Sequence, residues 1–129
     1  MRAIDTNVIV RYITGDEPDQ AAAARAALSA GQIFISTTVL LESEWVLRSA
    51  YGFAPAAVIA ALRKLAGLPG VTLEDPALAA RALDWSSRGM DFADALHLGS
   101  ASHCTGFLSF DQRLARHATA METTPVSHP

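Results

Sequence analysis

Cysteine is almost missing from this chain: Cys104 stands alone, so no internal disulfide can form and nothing marks an oxidising compartment. Lysine is equally scarce, with Lys64 set against nine arginines, and a formal net charge of −3 leaves no basic carpet to hold nucleic acid by counterion release alone. No apolar run approaches the length that spans a bilayer, and Asp5 interrupts the N-terminus before a basic-then-hydrophobic leader develops. A cytoplasmic protein with no membrane segment is the expectation. The motifs G-x-x-x-x-G-K, G-x-G-x-x-G and G-x-S-x-G are also absent, which argues against P-loop, dinucleotide-binding and nucleophile-elbow chemistry.

What is present is 129 residues, half of them apolar and 18% charged, enough for one core and too few for two ordinary domains. A single domain over 1–129 is expected, with an irregular tail over 125–129. Short apolar runs alternate with helical segments. Ala3-Ile4, Ile33-Phe34-Ile35, Val71-Thr72-Leu73 and Phe107-Leu108-Ser109 read as buried strands, and Met121 marks a possible fifth. Between them, Gly15, Gly31, Gly52 and Gly67 stop helices, while Pro18, Pro55 and Pro76 open them. Short buried strands separated by helices imply an α/β fold, a three-layer α/β/α sandwich around a central, mostly parallel sheet of about five strands.

Ligands of such sheets bind beyond the carboxyl ends of the strands, and the residues found there are mostly acidic. Asp5 follows the first strand and Asp111 the fourth. Glu42 interrupts the apolar run Val39-Leu40-Leu41, and Asp91 and Asp94 are neighbours on one helix face. A parallel sheet is able to bring Asp5, Glu42, Asp94 and Asp111 to one end of the fold, where their charges repel unless a cation holds them. Hard oxygen donors without a His or Cys set select Mg²⁺ or Mn²⁺, and the implied chemistry is phosphoryl transfer. Taken singly, Asp5, Asp91 and Asp111 serve equally well as helix caps. Glu44 lies two positions from Glu42, on roughly the opposite face, and is expected on a solvated face or in an interface salt bridge.

The segments Ile4-Asp5-Thr6-Asn7-Val8-Ile9-Val10-Arg11, Leu41-Glu42-Ser43-Glu44-Trp45-Val46-Leu47, Asp91-Phe92-Ala93-Asp94-Ala95-Leu96-His97 and Ser109-Phe110-Asp111 resemble, in order and spacing, the successive motifs of PIN-domain nucleases. Their similarity is greatest to the VapC-type toxins of bacterial toxin–antitoxin pairs. The resemblance implies a ribonuclease using Mg²⁺ or Mn²⁺, with Asp5, Glu42, Asp94 and Asp111 as catalytic, metal-binding carboxylates. It implies supporting roles for Thr6, Asn7, Asp91 and Ser109. Ser109 stands where the family often has Thr and keeps the hydroxyl. Hydrolysis by a metal-activated water would leave 5′-phosphate and 3′-hydroxyl ends. The resemblance further implies a homodimer and a VapB-like antitoxin that blocks the acidic pocket. Arg11, Arg48, Arg113 and Arg116 are candidates to hold RNA phosphates. Trp45 is expected in the core or at a dimer interface. A catalytically idle module that docks a basic partner through the same carboxylates is the alternative. Metal-free acid–base cleavage by histidine is a further one, distinguished by cyclic phosphate ends.

Overall fold

The computed structural model describes residues 1–129, which divide into two compact units, Met1–Pro76 and Ala77–Pro129. The class is helix-rich α/β, as expected, with seven helices and five short strands.

The first unit runs β1 (Arg2–Ala3), α1 (Thr6–Thr14), α2 (Pro18–Ser29), β2 (Ile33–Ile35), α3 (Thr37–Ser49), α4 (Pro55–Ala66) and β3 (Val71–Leu73). Its sheet has the order β1-β2-β3 and is wholly parallel, pairing Ala3 with Phe34 and Ile35 with Leu73. Parallel pairing cannot be closed by a tight turn, so a pair of helices intervenes before each new strand. Ile33 and Ile35 are buried while Phe34 is only half-buried, the alternation a pleated strand dictates. They pack in a core with Ile9 of α1, Leu47 of α3 and Val58 and Leu62 of α4, all essentially inaccessible. The small Ala21 and Ala24 form the buried stripe of α2.

The second unit comprises α5 (Pro76–Ser87), whose first residue is the last of the first unit, then α6 (Phe92–Ser100), β4 (Phe107–Leu108), α7 (Gln112–Ala120) and β5 (Val126–Ser127). Phe92, Met90, Ala82 and Leu98 form its buried centre. β4 and β5 pair in parallel as a separate two-stranded sheet, with Phe107 opposite Val126 and Leu108 opposite Ser127. Three expectations change here. β1 is Arg2–Ala3 rather than Ala3-Ile4 and both its residues are exposed, as is Leu108 of β4, so neither strand is buried. Met121 is not in a strand but caps α7, its amide donating to the His117 carbonyl, and the tail expected to be irregular carries β5. Two-residue strands are too short to show a period of two; their partner defines them. No helix is long and apolar enough to cross a membrane.

Candidate active site

In the first unit, the chain leaves β1 at Ile4 and turns into α1 at Asp5. Asp5 adopts the extended conformation of a helix cap, with φ −88° and ψ 166°, and its Oδ1 accepts from the Thr6 amide at 2.8 Å. Capping engages that one oxygen and leaves the rest of an exposed carboxylate available. Thr6 is buried, and its hydroxyl donates to Glu42 Oε1. α3 presents Glu42 from the next crossover, where Ser36 starts the helix by accepting from the Val39 amide at 3.2 Å. The result is a cleft of about 380 Å³ lined by Asp5, Thr6, Asn7, Arg11, Glu42 and Tyr51, with Val10 and Val46 supplying apolar wall. Two of the four sequence-predicted carboxylates and two supporting residues therefore share one cleft.

The second unit holds the other two. Asp91 caps α6 and accepts from the Asp94 amide at 3.2 Å, and Asp111 caps α7, its Oδ1 accepting from the Arg113 and Leu114 amides at 2.9 and 3.1 Å. The Ser109 hydroxyl accepts from the Asp111 amide at 3.0 Å, fixing the turn that presents this carboxylate. Asp94 sits half-buried on the first turn of α6. Burial pushes its carboxyl above the usual range, and the negative charges of Asp91 and Asp111 push it further, with His97 and His117 opposing the rise. Of the sequence-predicted carboxylates, Asp111 is thus one whose charge acts on Asp94.

That strain carries an expected outcome. Ionised Asp94 is held less favourably in the folded chain than in the unfolded one, so above its raised pKa the charge subtracts stability, and protonation removes the penalty. Asp94→Asn in EDTA is expected to stabilise the protein at pH 7, modestly, because solvent screens a half-exposed charge. The gain should fade as the pH drops through the raised pKa of Asp94 toward the ordinary 3.8. Thermal melts across this range check it.

Three readings are corrected. Glu44 is not solvated: at 5% exposure it is buried, and Arg48 one turn later neutralises it at 2.8 Å. Two positions along a helix do separate Glu42 from Glu44, but the face of Glu44 is the interior one. Trp45, three positions from Glu42 and hence on its side of α3, is 57% exposed, so of its two expected places, core or dimer interface, the core is excluded. Asp16, which stands before Glu17-Pro18 where the sequence offers a cap, does not cap α2; Glu17 takes that position and makes no side-chain cap bond. Asp16 accepts instead from the Tyr51 hydroxyl at 2.7 Å and from Thr14, and lies 3.3 Å from Arg11; the Tyr51 bond above all holds its carboxyl below the ordinary value.

Of the four candidate arginines, Arg11 and Arg48 are engaged within the protein. Arg11 donates to Gln20 at 2.8 Å and to the Tyr51 hydroxyl at 2.9 Å, and Arg48 holds Glu44. Arg113 and Arg116 are exposed on α7. Tyr51 lines the cleft, although no motif in the sequence marks it. Its partner Asp16 is 35 residues away, beyond any local pattern.

No three His, Cys, Asp or Glu side chains are gathered closely enough to form a complete metal-ligating group by themselves. Asp5 and Glu42 in the cleft are hard oxygen donors, of the kind Mg²⁺ takes one or two of before completing its shell with water and substrate phosphate. The donors present, carboxylate oxygens that repel one another at Asp94, fit such an ion.

The chain is thus an α/β protein with parallel strands, acidic helix caps and a cleft lined by two carboxylates. The chain belongs to the PIN domain family, whose model matches residues 3–120. PIN domains are generally nucleases, and the fold here is of that nuclease type. No curated protein matches the chain.

Proposed function

We propose that this chain is a divalent-metal-dependent endoribonuclease that hydrolyses RNA phosphodiesters, and that it acts as the VapC-type toxin of a toxin–antitoxin pair in the cytoplasm. The observation that carries the reading is the cleft in which Asp5, Thr6, Asn7 and Glu42 converge from two helices, with Thr6 bonded directly to Glu42. The order of the sequence motifs supports the toxin class, and the match over residues 3–120 supports the nuclease class.

Asp5, Glu42, Asp94 and Asp111 would hold Mg²⁺ or Mn²⁺. When bound, the ion supplies positive charge to the phosphate and its departing oxygen. The chain's own residues do the positioning. Thr6 fixes the rotamer of Glu42, Ser109 fixes the turn before Asp111, and Asp91 anchors the first turn of α6 beneath Asp94. Arg113 and Arg116, exposed on α7, would meet the RNA phosphates. A homodimer and a VapB-like antitoxin complete the reading as its partners.

Thr6→Val removes the hydroxyl while keeping the shape of the buried side chain. It is expected to lower cleavage roughly 10–100-fold, as loss of a partner that orients a ligand does. Thr6→Ser, which keeps the donor, should restore most of the rate.

The reading is tested by incubating purified protein with a pool of structured RNAs and with DNA of the same sequences, in Mn²⁺ and in EDTA. RNA cut only in metal, with DNA intact, is the expected result. Folded protein that cuts neither, yet binds a basic protein partner through its carboxylates, would establish the idle docking module instead.

A further inference from the structure

Phe110 is the most exposed large hydrophobic residue of the chain, at 74%, and it stands between Ser109 and Asp111. It is not loose. Its neighbours are pinned on both sides, the Ser109 amide donating to the Ser127 carbonyl at 3.0 Å and the Asp111 amide to the Ser109 hydroxyl at 3.0 Å. The parallel register of β4 and β5, with Leu108 opposite Ser127, brings the residues beyond the strands together. Phe110 and His128 consequently meet in a T-shaped contact, ring centroids 4.9 Å apart and planes at 81°. An aromatic ring is thus held out in solvent by a defined backbone, with one edge-to-face partner and most of its surface uncovered.

We propose that Phe110, steadied by His128, is a stacking platform for a nucleobase of the RNA chain and positions that nucleotide beside Asp111. The inference rests on the ribonuclease reading and deepens it. Single-stranded RNA is gripped by aromatic faces that stack bases and by cations that meet phosphates. Phe110 provides the first, and the exposed Arg113 and Arg116 on the adjoining helix provide the second. Leu108, the last residue of β4 and 66% exposed, is a second uncovered apolar side chain two positions earlier. Two such side chains match a base in size and fall well short of the roughly 800 Å² that a stable protein partner covers. Preorganisation favours the same occupant, because a rigid ring loses little freedom when a base settles on it.

The test measures binding of a fluorescently labelled single-stranded RNA oligonucleotide in low-salt EDTA buffer, with cleavage in Mn²⁺ and sedimentation measured in parallel. Phe110→Ala should weaken binding by about 5-fold or more, the loss expected from one stacked base. Phe110→Leu should be as weak, while Phe110→Trp should bind like wild type with its added emission quenched by RNA. Melting curves establish that each variant is folded. Wild-type affinity in Phe110→Ala or Phe110→Leu, with wild-type cleavage intact, would overturn the platform and leave the nuclease reading standing. A change of oligomeric state in Phe110→Ala with unchanged RNA binding would assign the ring to a contact between copies and also overturn it. If wild-type protein neither binds nor cuts RNA, both readings fall.

Discussion

Converting Asp5, Glu42, Asp94 or Asp111 to its amide is expected to reduce RNA cleavage by at least about 100-fold, the scale on which loss of a charge-stabilising group acts. The substitution is chosen to separate two roles that coincide in these residues. Asp5 and Asp111 are geometrically good caps, accepting from backbone amides at 2.8–3.1 Å, and Asn caps a helix about as well as Asp. Glutamine at position 42 still offers a carbonyl oxygen to the Thr6 hydroxyl. The folds of these variants should therefore survive, and what disappears is the negative charge that a divalent ion requires. Were capping and local bonding the whole purpose of these side chains, all four amides would cleave like wild type. Asp84→Asn serves as the control, because Asp84 forms only an exposed pair with Arg88 at 3.6 Å, and it should leave the rate unchanged. Initial rates under saturating Mn²⁺, with melting curves for each protein, decide the matter.

The second large effect is structural. Gly70→Ala is expected to destabilise the protein by about 2–5 kcal/mol, summing the left-handed backbone cost and the cost of forced overlap. Gly70 has φ +80°, and a Cβ there would lie 2.8 Å from the Cα of Gly31 and 3.0 Å from the amide nitrogen of Gln32. Both obstacles are backbone, so no rotamer change relieves them. The contact sits where β2 and β3 begin, and the Gly70 carbonyl accepts from the Ile33 amide at 2.8 Å, setting the register of the pair. Register matters to the site, since β2 leads through Ser36 into the helix that carries Glu42. Gly15→Ala isolates the overlap, for Gly15 has φ +65° but nothing within 4 Å of an added Cβ. It should cost only about 1–2 kcal/mol. Denaturant unfolding of both variants supplies the comparison, and equal losses would remove the role given to the Gly70–Gly31 contact.

Much of the first unit was legible in the sequence because its signals are local. The strands at Ile33–Ile35 and Val71–Leu73 lie where the apolar runs put them, and Gly15 ends α1 in the left-handed conformation that favours glycine. Asp91 and Asp111 cap the helices whose starts they mark. Of the site, the sharing of one cleft by Asp5 and Glu42 was readable only through motif order, since the Thr6–Glu42 bond spans 36 residues. What escaped depends on partners distant in sequence. β5 exists because β4 is there to pair with it, and Asp16 abandons the cap of α2 for Tyr51. Periodicity separated Glu42 from Glu44 correctly but does not say which face of a short amphipathic helix is inside. Arg48, one turn beyond Glu44, was the signal that burial of that carboxylate was affordable.

The products of the reaction distinguish carboxylate-held metal chemistry from any other most directly. Purified protein cleaving a defined RNA in Mn²⁺ should yield fragments with 5′-phosphate and 3′-hydroxyl ends, stop when EDTA is added, and resume when Mn²⁺ is restored. Cleavage that persists in EDTA and leaves cyclic phosphate ends would contradict it, placing the chemistry on histidine rather than on the carboxylates.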